Sequence, residues 1–133
     1  MNGYLLDTHA FLWTIFEPEK LGTTAQLILS KSTSNIYVSS VTFWEIALKA
    51  SVGKLTLIGC TPEDLPSIAD QLGYRRMGLE TEEAASFHCL PKHNHKDPFD
   101  RMLIWQAIQR QLILISKDGA FPAYESLGLR MIW

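Results

Sequence analysis

The chain has 133 residues, 47% of them apolar and 20% charged, with a formal net charge of −2. This composition is globular and excludes a disordered chain, and the length accommodates one domain with its own core. The slightly acidic balance excludes a globally basic nucleic-acid binder, so any such contact needs a local positive patch, for which Lys49, Lys54, Lys92, Lys96, Arg101 and Lys117 are the candidates.

"GYLLD" is a short apolar run ending in Asp7 and reads as a buried strand. "THAFLWTIF" has helical spacing at Phe11, Leu12, Ile15 and Phe16, and Glu17-Pro18 ends it. "TTAQLILSKS" is a second helix with Thr23 as its expected cap, and "NIYVSS" is a strand of β-branched and aromatic type. "SVTFWEIALKASVGKL" is a helix capped near Ser39 or Ser40 and stopped at Gly53. "TPEDLPSIADQLG" is another, from Pro62 to Gly73, followed by a short strand in "YRRMGL". "TEEAASFHCL" begins with Thr81 and acids in its first turn, so it is read as a helix, and "PKHNHK" as a polar loop. "PFDRMLIWQAIQRQ" is a long helix, "LILIS" the most strand-like run, and "LRMIW" a closing strand. Strands alternating with helices predict a parallel sheet with helices on both faces. Internal repeats, low-complexity tracts and linkers are absent from the sequence, so residues 1–133 are expected to form a single domain.

Cys60 and Cys89 belong to no CxxC pair and make no disulfide framework. No apolar run approaches the roughly 20 residues of a membrane-crossing helix, and the start "MNGYLLDTHAFLW" has neither a basic region nor a small-residue cleavage site. The expectation is a cytoplasmic protein with no membrane association.

The stretch "HKDPFDRMLIWQA" surrounds a proline with two aspartates. Asp97 suits the N-cap position, and Pro98 suits the first helical position, where it has no useful N–H to lose. Asp100, three residues after the cap, complements the helix dipole. Capping alone accounts for both acids; chemistry is the alternative. Two strands supply further acids. "LLD" stops on Asp7, and "LILISKD" reaches Asp118 three residues after Ile115. Ligands of open parallel sheets bind beyond the carboxyl ends of the strands. The helix that starts near Asp100 leads into the second of these strands, so its N-terminus lies at that same edge. Glu45 stands in "VTFWEIALKA" and has two readings, an exposed i,i+4 pair with Lys49 or a carboxylate facing a polar cavity. The helix is apolar nearly all round, which predicts little exposed face.

Crowded carboxylates are costly. Two of them about 4 Å apart repel by about 4 kcal/mol at an effective dielectric near 20, against a native stability of about 5–15 kcal/mol. Three or four in one crevice require protonation or a cation, and oxygen-only ligands select a hard ion, Mg²⁺ or Mn²⁺. Such a site suits phosphodiester hydrolysis.

Four segments in order, "LLDTHAFLW", "SSVTFWEIALKASVGKL", "DPFDRMLIWQA" and "LISKDGAF", resemble the PIN-domain ribonucleases, in particular the VapC-type toxins of toxin–antitoxin pairs. The resemblance spans essentially the whole chain. It implies a PIN-like three-layer sandwich and an acidic quartet at Asp7, Glu45, Asp100 and Asp118 that binds Mg²⁺ or Mn²⁺ and cuts single-stranded RNA. It also implies an antitoxin partner and a homodimer. Leu103, Ile104 and Ala107 fit the family's offsets when the third acid is Asp100. Asp97 is then the cap, close enough to join the metal site from its outer shell. Thr8 and Ser116 match flanking hydroxyls. Trp105 departs from the common Ala and is expected to fill core space. Lys49, Lys54, Arg101 and Lys117 are the expected phosphate contacts.

Other readings are weaker. His88, Cys89, His93 and His95 resemble a zinc cluster, but their spacing matches no common structural pattern. His9 either touches substrate or packs behind the site, and Phe11, Trp13 and Phe16 are expected in the core. "SVGKL" lacks the upstream glycine of a phosphate-binding loop. An aspartyl-nucleophile phosphohydrolase wants an acid where His9 stands, and a phospho-receiver domain wants an acceptor Asp where "NIYVSS" ends in serines. A catalytically silent PIN-fold interaction module is the remaining alternative, and four intact acids argue against it.

Overall fold

A computed structural model describes residues 3–93, 96–119 and 121–133. Strands β1 (Gly3–Leu6), β2 (Asn35–Ser39), β3 (Arg75–Met77), β4 (Ile113–Ile115) and β5 (Arg130–Ile132) form one sheet in the order β3-β2-β1-β4-β5. Every pairing is parallel. The α-helices are α1 (Thr8–Phe16), α2 (Thr23–Ser30), α3 (Ser40–Ser51), α4 (Leu65–Gln71), α5 (Thr81–Ser86) and α6 (Pro98–Arg110).

Adjacent residues of a strand point to opposite faces, so doubly apolar pairs such as Leu5-Leu6 and Leu114-Ile115 feed two cores. On one face Leu6, Val38 and Ile115 pack with Phe11 of α1, Ala25 of α2, Ile46 of α3 and Ala69 of α4. On the other, Leu5 and Leu114 pack with Leu103, Ile104 and Ala107 of α6 and with Phe121 and Tyr124. The expected three-layer sandwich is therefore observed. Trp105 is half-buried against the second core, and its indole N–H donates to Ser86 Oγ at 3.1 Å.

Two local expectations change. Thr23 does not cap α2. Gly22 does, with no side-chain bond, because the Trp133 backbone oxygen accepts from the Ala25 amide at 2.9 Å. A Cβ on Gly22 would come within 2.1 Å of that oxygen, so the close approach needs glycine. Helix α5 starts at Thr81 as expected, and Glu80 before it caps it in a reciprocal capping box with Glu83. Helix α3 has an exposed apolar face after all: Trp44, Leu48 and Val52 are 61%, 43% and 59% exposed. They recur every four residues along one side of the helix and its cap.

Among the described residues, no helix is long and apolar enough to cross a membrane.

Candidate metal centre

The chain runs from β1 outward through β2 and β3, then returns to place β4 against β1's free side. The order reverses between β1 and β4, and the crevice beyond their carboxyl ends is where such a sheet binds ligands. Asp7 follows β1 directly and its amide donates to Ile115 O of β4 at 3.1 Å, so it sits at the seam. Its carboxylate caps α1 by accepting from the Ala10 amide at 2.8 Å. Burial pushes the Asp7 carboxyl up, against the pull of hydrogen bonds from Ser116 and Ala10 and of nearby His9. Ser116 is itself buried and accepts from the Asp118 amide at 3.1 Å, so one hydroxyl ties Asp7 to the loop that carries Asp118.

Glu45 arrives from α3 and is 2% exposed. Thr8 Oγ1 donates to Glu45 Oε1 at 2.6 Å and lies 3.2 Å from Thr42 Oγ1. A hydroxyl has one proton, so with Thr8 donating to Glu45, Thr42 must donate to Thr8. Thr42 was not among the sequence candidates. Its signal is its place three residues before Glu45, on the same helical face. The other oxygen, Oε2, accepts from the Lys49 ammonium one turn along. The i,i+4 pair with Lys49 forms, but not as an exposed pair: Glu45 is buried in a polar cluster.

Asp97 caps α6, accepting from the Phe99 and Asp100 amides at 2.8 and 3.2 Å. It does more than cap. Carboxylate oxygens of Glu45, Asp97 and Asp100 all lie within 4.8 Å of one another, and this is the metal-capable grouping found among the described residues. Asp7 and Asp118 are outside that tight set yet near enough to act on Asp100. Burial, then the charges of Asp97, Glu45, Asp7 and Asp118, push the Asp100 carboxyl up to about 7.

Of the expected phosphate contacts, Lys49 is bound to Glu45. Arg101 points elsewhere: its guanidinium donates to Leu90 O at 3.0 Å and lies 4.7 Å from the Phe87 ring. Lys54 and Lys117 are exposed, Lys117 with its ammonium 5.9 Å from the Trp13 ring. Phe11 is fully buried, whereas Trp13 and Phe16 line a groove of about 580 Å³ with His9, Leu12, Leu55, Leu57 and Ile58. His88 and Cys89 are neighbours, with Sγ 3.9 Å from Nε2, and His93 packs on Tyr124 instead. His95 lies outside the described residues, and no zinc grouping occurs among those described.

A parallel sheet with acids converging at its switch point defines a class, and the sequence match supplies its family. Residues 4–127 match the PIN domain, and the chain belongs to the PIN-domain family. It is 27% identical over 133 residues to Ribonuclease VapC22 of Mycobacterium tuberculosis (strain ATCC 25618 / H37Rv), covering 100% of both chains. The fold is similar to that of the DNA-bound VapBC of Salmonella typhimurium, with TM-score 0.67, 18% identity, and 99% and 98% of the two chains covered. It is also similar to VapBC2 of Rickettsia felis bound to a promoter DNA fragment, with TM-score 0.65, 14% identity, and 97% and 96% covered.

Proposed function

We propose that this protein is a Mg²⁺- or Mn²⁺-dependent endoribonuclease that cleaves single-stranded RNA, and that it is the toxin of a cytoplasmic toxin–antitoxin pair. One observation carries the reading: carboxylate oxygens of Glu45, Asp97 and Asp100 lie within 4.8 Å of one another, and burial together with the charges of Asp97, Glu45, Asp7 and Asp118 raises the Asp100 carboxyl to about 7. That is the signature of a site short of positive charge. The donor set is oxygen only, which fits a hard divalent ion and not zinc or copper. Glu45, Asp97 and Asp100 would hold the ion, with Asp7 and Asp118 completing the shell through direct or water contacts. A bound ion supplies Lewis acidity toward a phosphoryl oxygen and acidifies a water.

The chain's own groups do the rest. The Thr42–Thr8–Glu45 relay fixes one carboxylate, and Ser116 fixes Asp7. Asp100, titrating near neutrality in the metal-free site, is placed to hold a proton that a cation displaces. Lys54 and Lys117 remain the proposed phosphate contacts. An antitoxin segment is assigned to the apolar groove between α1 and residues 55–58, beside His9, and a second copy of the chain to the exposed face of α3.

The test is cleavage of a single-stranded RNA with Mn²⁺, with EDTA, and by Asp100→Asn, alongside duplex RNA and single-stranded DNA. The expected result is Mn²⁺-dependent cutting of single-stranded RNA alone. Cutting that survives both EDTA and Asp100→Asn would sink the reading, and so would an inert wild type that binds neither ion.

A further inference from the structure

Lys49 is a cation built into the acid cluster. Its ammonium pairs with Glu45 Oε2 from one helical turn away, the favoured order of acid before base on a helix. The pair is unequal. The Glu45 side chain is 3% exposed and pinned by Thr8, whereas the Lys49 side chain is 36% exposed at the rim. Glu45 shares the tight set with Asp97 and Asp100, whose carboxylate oxygens lie within 4.8 Å of its own, so the lysine's charge stands beside all three acids. An ordinary surface pair joins two mobile groups and is worth little. Here the carboxylate is fixed and buried, and the ammonium is the partner free to leave.

We propose that Lys49 is a tethered counter-ion. It occupies Glu45 in the metal-free protein, offsets the charge of Asp97 and Asp100, and must let go of Glu45 when a divalent ion enters, so it sets how tightly the site binds metal. This rests on the reading of the cluster as a metal site. The physical ground is that an ammonium and a divalent cation repel when both seek one carboxylate oxygen at contact distance. The lysine also lets the fold form before metal arrives, because without it three carboxylates within 4.8 Å face one another with no cation from the same helix. Two other roles are possible for such a lysine, and they have different consequences. If it only clamped Glu45 in place for the ion, its loss would weaken metal binding. If it only held RNA phosphate, its loss would leave metal binding alone.

Mn²⁺ affinity is measured by calorimetry for wild type, Lys49→Met and, as a remote charge control, Lys31→Met. Melting temperatures are taken with and without Mn²⁺. Lys49→Met is expected to melt lower than wild type without metal, to bind Mn²⁺ at least about tenfold more tightly, and to gain more from it in melting temperature. Lys31→Met is expected to match wild type. A second measurement needs no variant: amine labelling of the wild type, read by mass spectrometry, should speed up at Lys49 and not at Lys31 when Mg²⁺ saturates the site. Unchanged or weaker Mn²⁺ binding by Lys49→Met overturns the counter-ion while leaving the metal site standing, as does a Lys49 labelling rate indifferent to Mg²⁺. Failure of wild type and both variants to bind either ion overturns the metal reading and this proposal together.

Discussion

Asp97 and Asp100 sit three residues apart and share a helix end, yet their replacement should have opposite effects on the metal-free fold. Asp97 accepts two amides as a cap. Asp97→Asn keeps that function, since Asn ranks with Asp at N-caps, whereas Asp97→Ala is expected to cost about 1 kcal/mol. Asp100 is the group on which the other acids converge. Asp100→Asn should therefore raise the melting temperature without metal and abolish RNA cleavage. Because Asp97 lies in the tight set with Glu45, Asp97→Asn is expected to weaken Mn²⁺ binding while the fold keeps its stability. Thermal melts and Mn²⁺ titrations of the three variants check this, and an Asp100→Asn protein that cleaves normally would reverse the two roles. The same residue predicts a pH effect. Its folded-state pKa, about 7, lies above the ordinary 3.8. The folded chain thus binds this proton more tightly than the unfolded one, and the stabilisation is full below about pH 4 and is lost as pH rises through about 7. Melting of the metal-free protein should fall across that window, and Asp100→Asn should flatten the fall.

Helix α6 shows what a sequence can and cannot display. Its start was readable, because Asp97-Pro98 is local chemistry. Its partners were not. Gln106 lies inside the apolar pattern and is fully buried, accepting from Ser39 Oγ at 2.6 Å and donating to Glu83 at 3.1 Å. Arg110 closes the network, donating to Glu83 at 2.6 Å and to Gly78 O at 2.8 Å. These bonds join residues that are 23 or more positions apart, so no spacing rule points to them. The same limit explains the site. Asp7, Asp100 and Asp118 were visible as acids at strand and helix ends, whereas Thr42 and the inward turn of Lys49 depend on how α3 packs on α1. Arg101 was expected at the phosphate and turned to Leu90, because its position on α6 faces the 87–90 segment. Burial raises the Glu83 carboxyl, but the Arg110, Glu80 and Gln106 hydrogen bonds outweigh it and bring it down to about 2. A depressed acid stabilises the fold above its unfolded pKa and loses that contribution as pH falls, here between about 4.5 and 2. Glu83→Gln is expected to destabilise by about 1–3 kcal/mol at pH 7, since Arg110 is left without its carboxylate. The deficit should shrink toward pH 2. A deficit that stays constant from pH 7 to 2 would show that the charge of Glu83 contributes nothing.

The sheet delivers five acids to one crevice and leaves one apolar face of α3 uncovered beside it. Trp44 and Leu48 each immediately precede a residue of the Glu45–Lys49 pair, so whatever covers that face also borders the acid cluster. Trp44 already packs edge-on to Phe99 at the start of α6, 4.9 Å between ring centres, which holds the indole in place while leaving most of it in water. Fully burying a large apolar side chain is worth about 1.5–3 kcal/mol, so three of them on one helix face are a strong drive to associate. A second copy meets the requirement by symmetry, because a two-fold contact sets the same stripe against itself. It would place the two acid clusters on either side of one interface. The proposed homodimer should therefore depend on this face. Light scattering at tens of micromolar is expected to give twice the chain mass for the wild type and the chain mass for Trp44→Glu/Leu48→Glu. The melting temperature of the double variant should not depend on protein concentration, whereas that of the wild type should rise with it. A wild type that scatters as a monomer, or a double variant that stays dimeric, would place the second copy elsewhere or remove it.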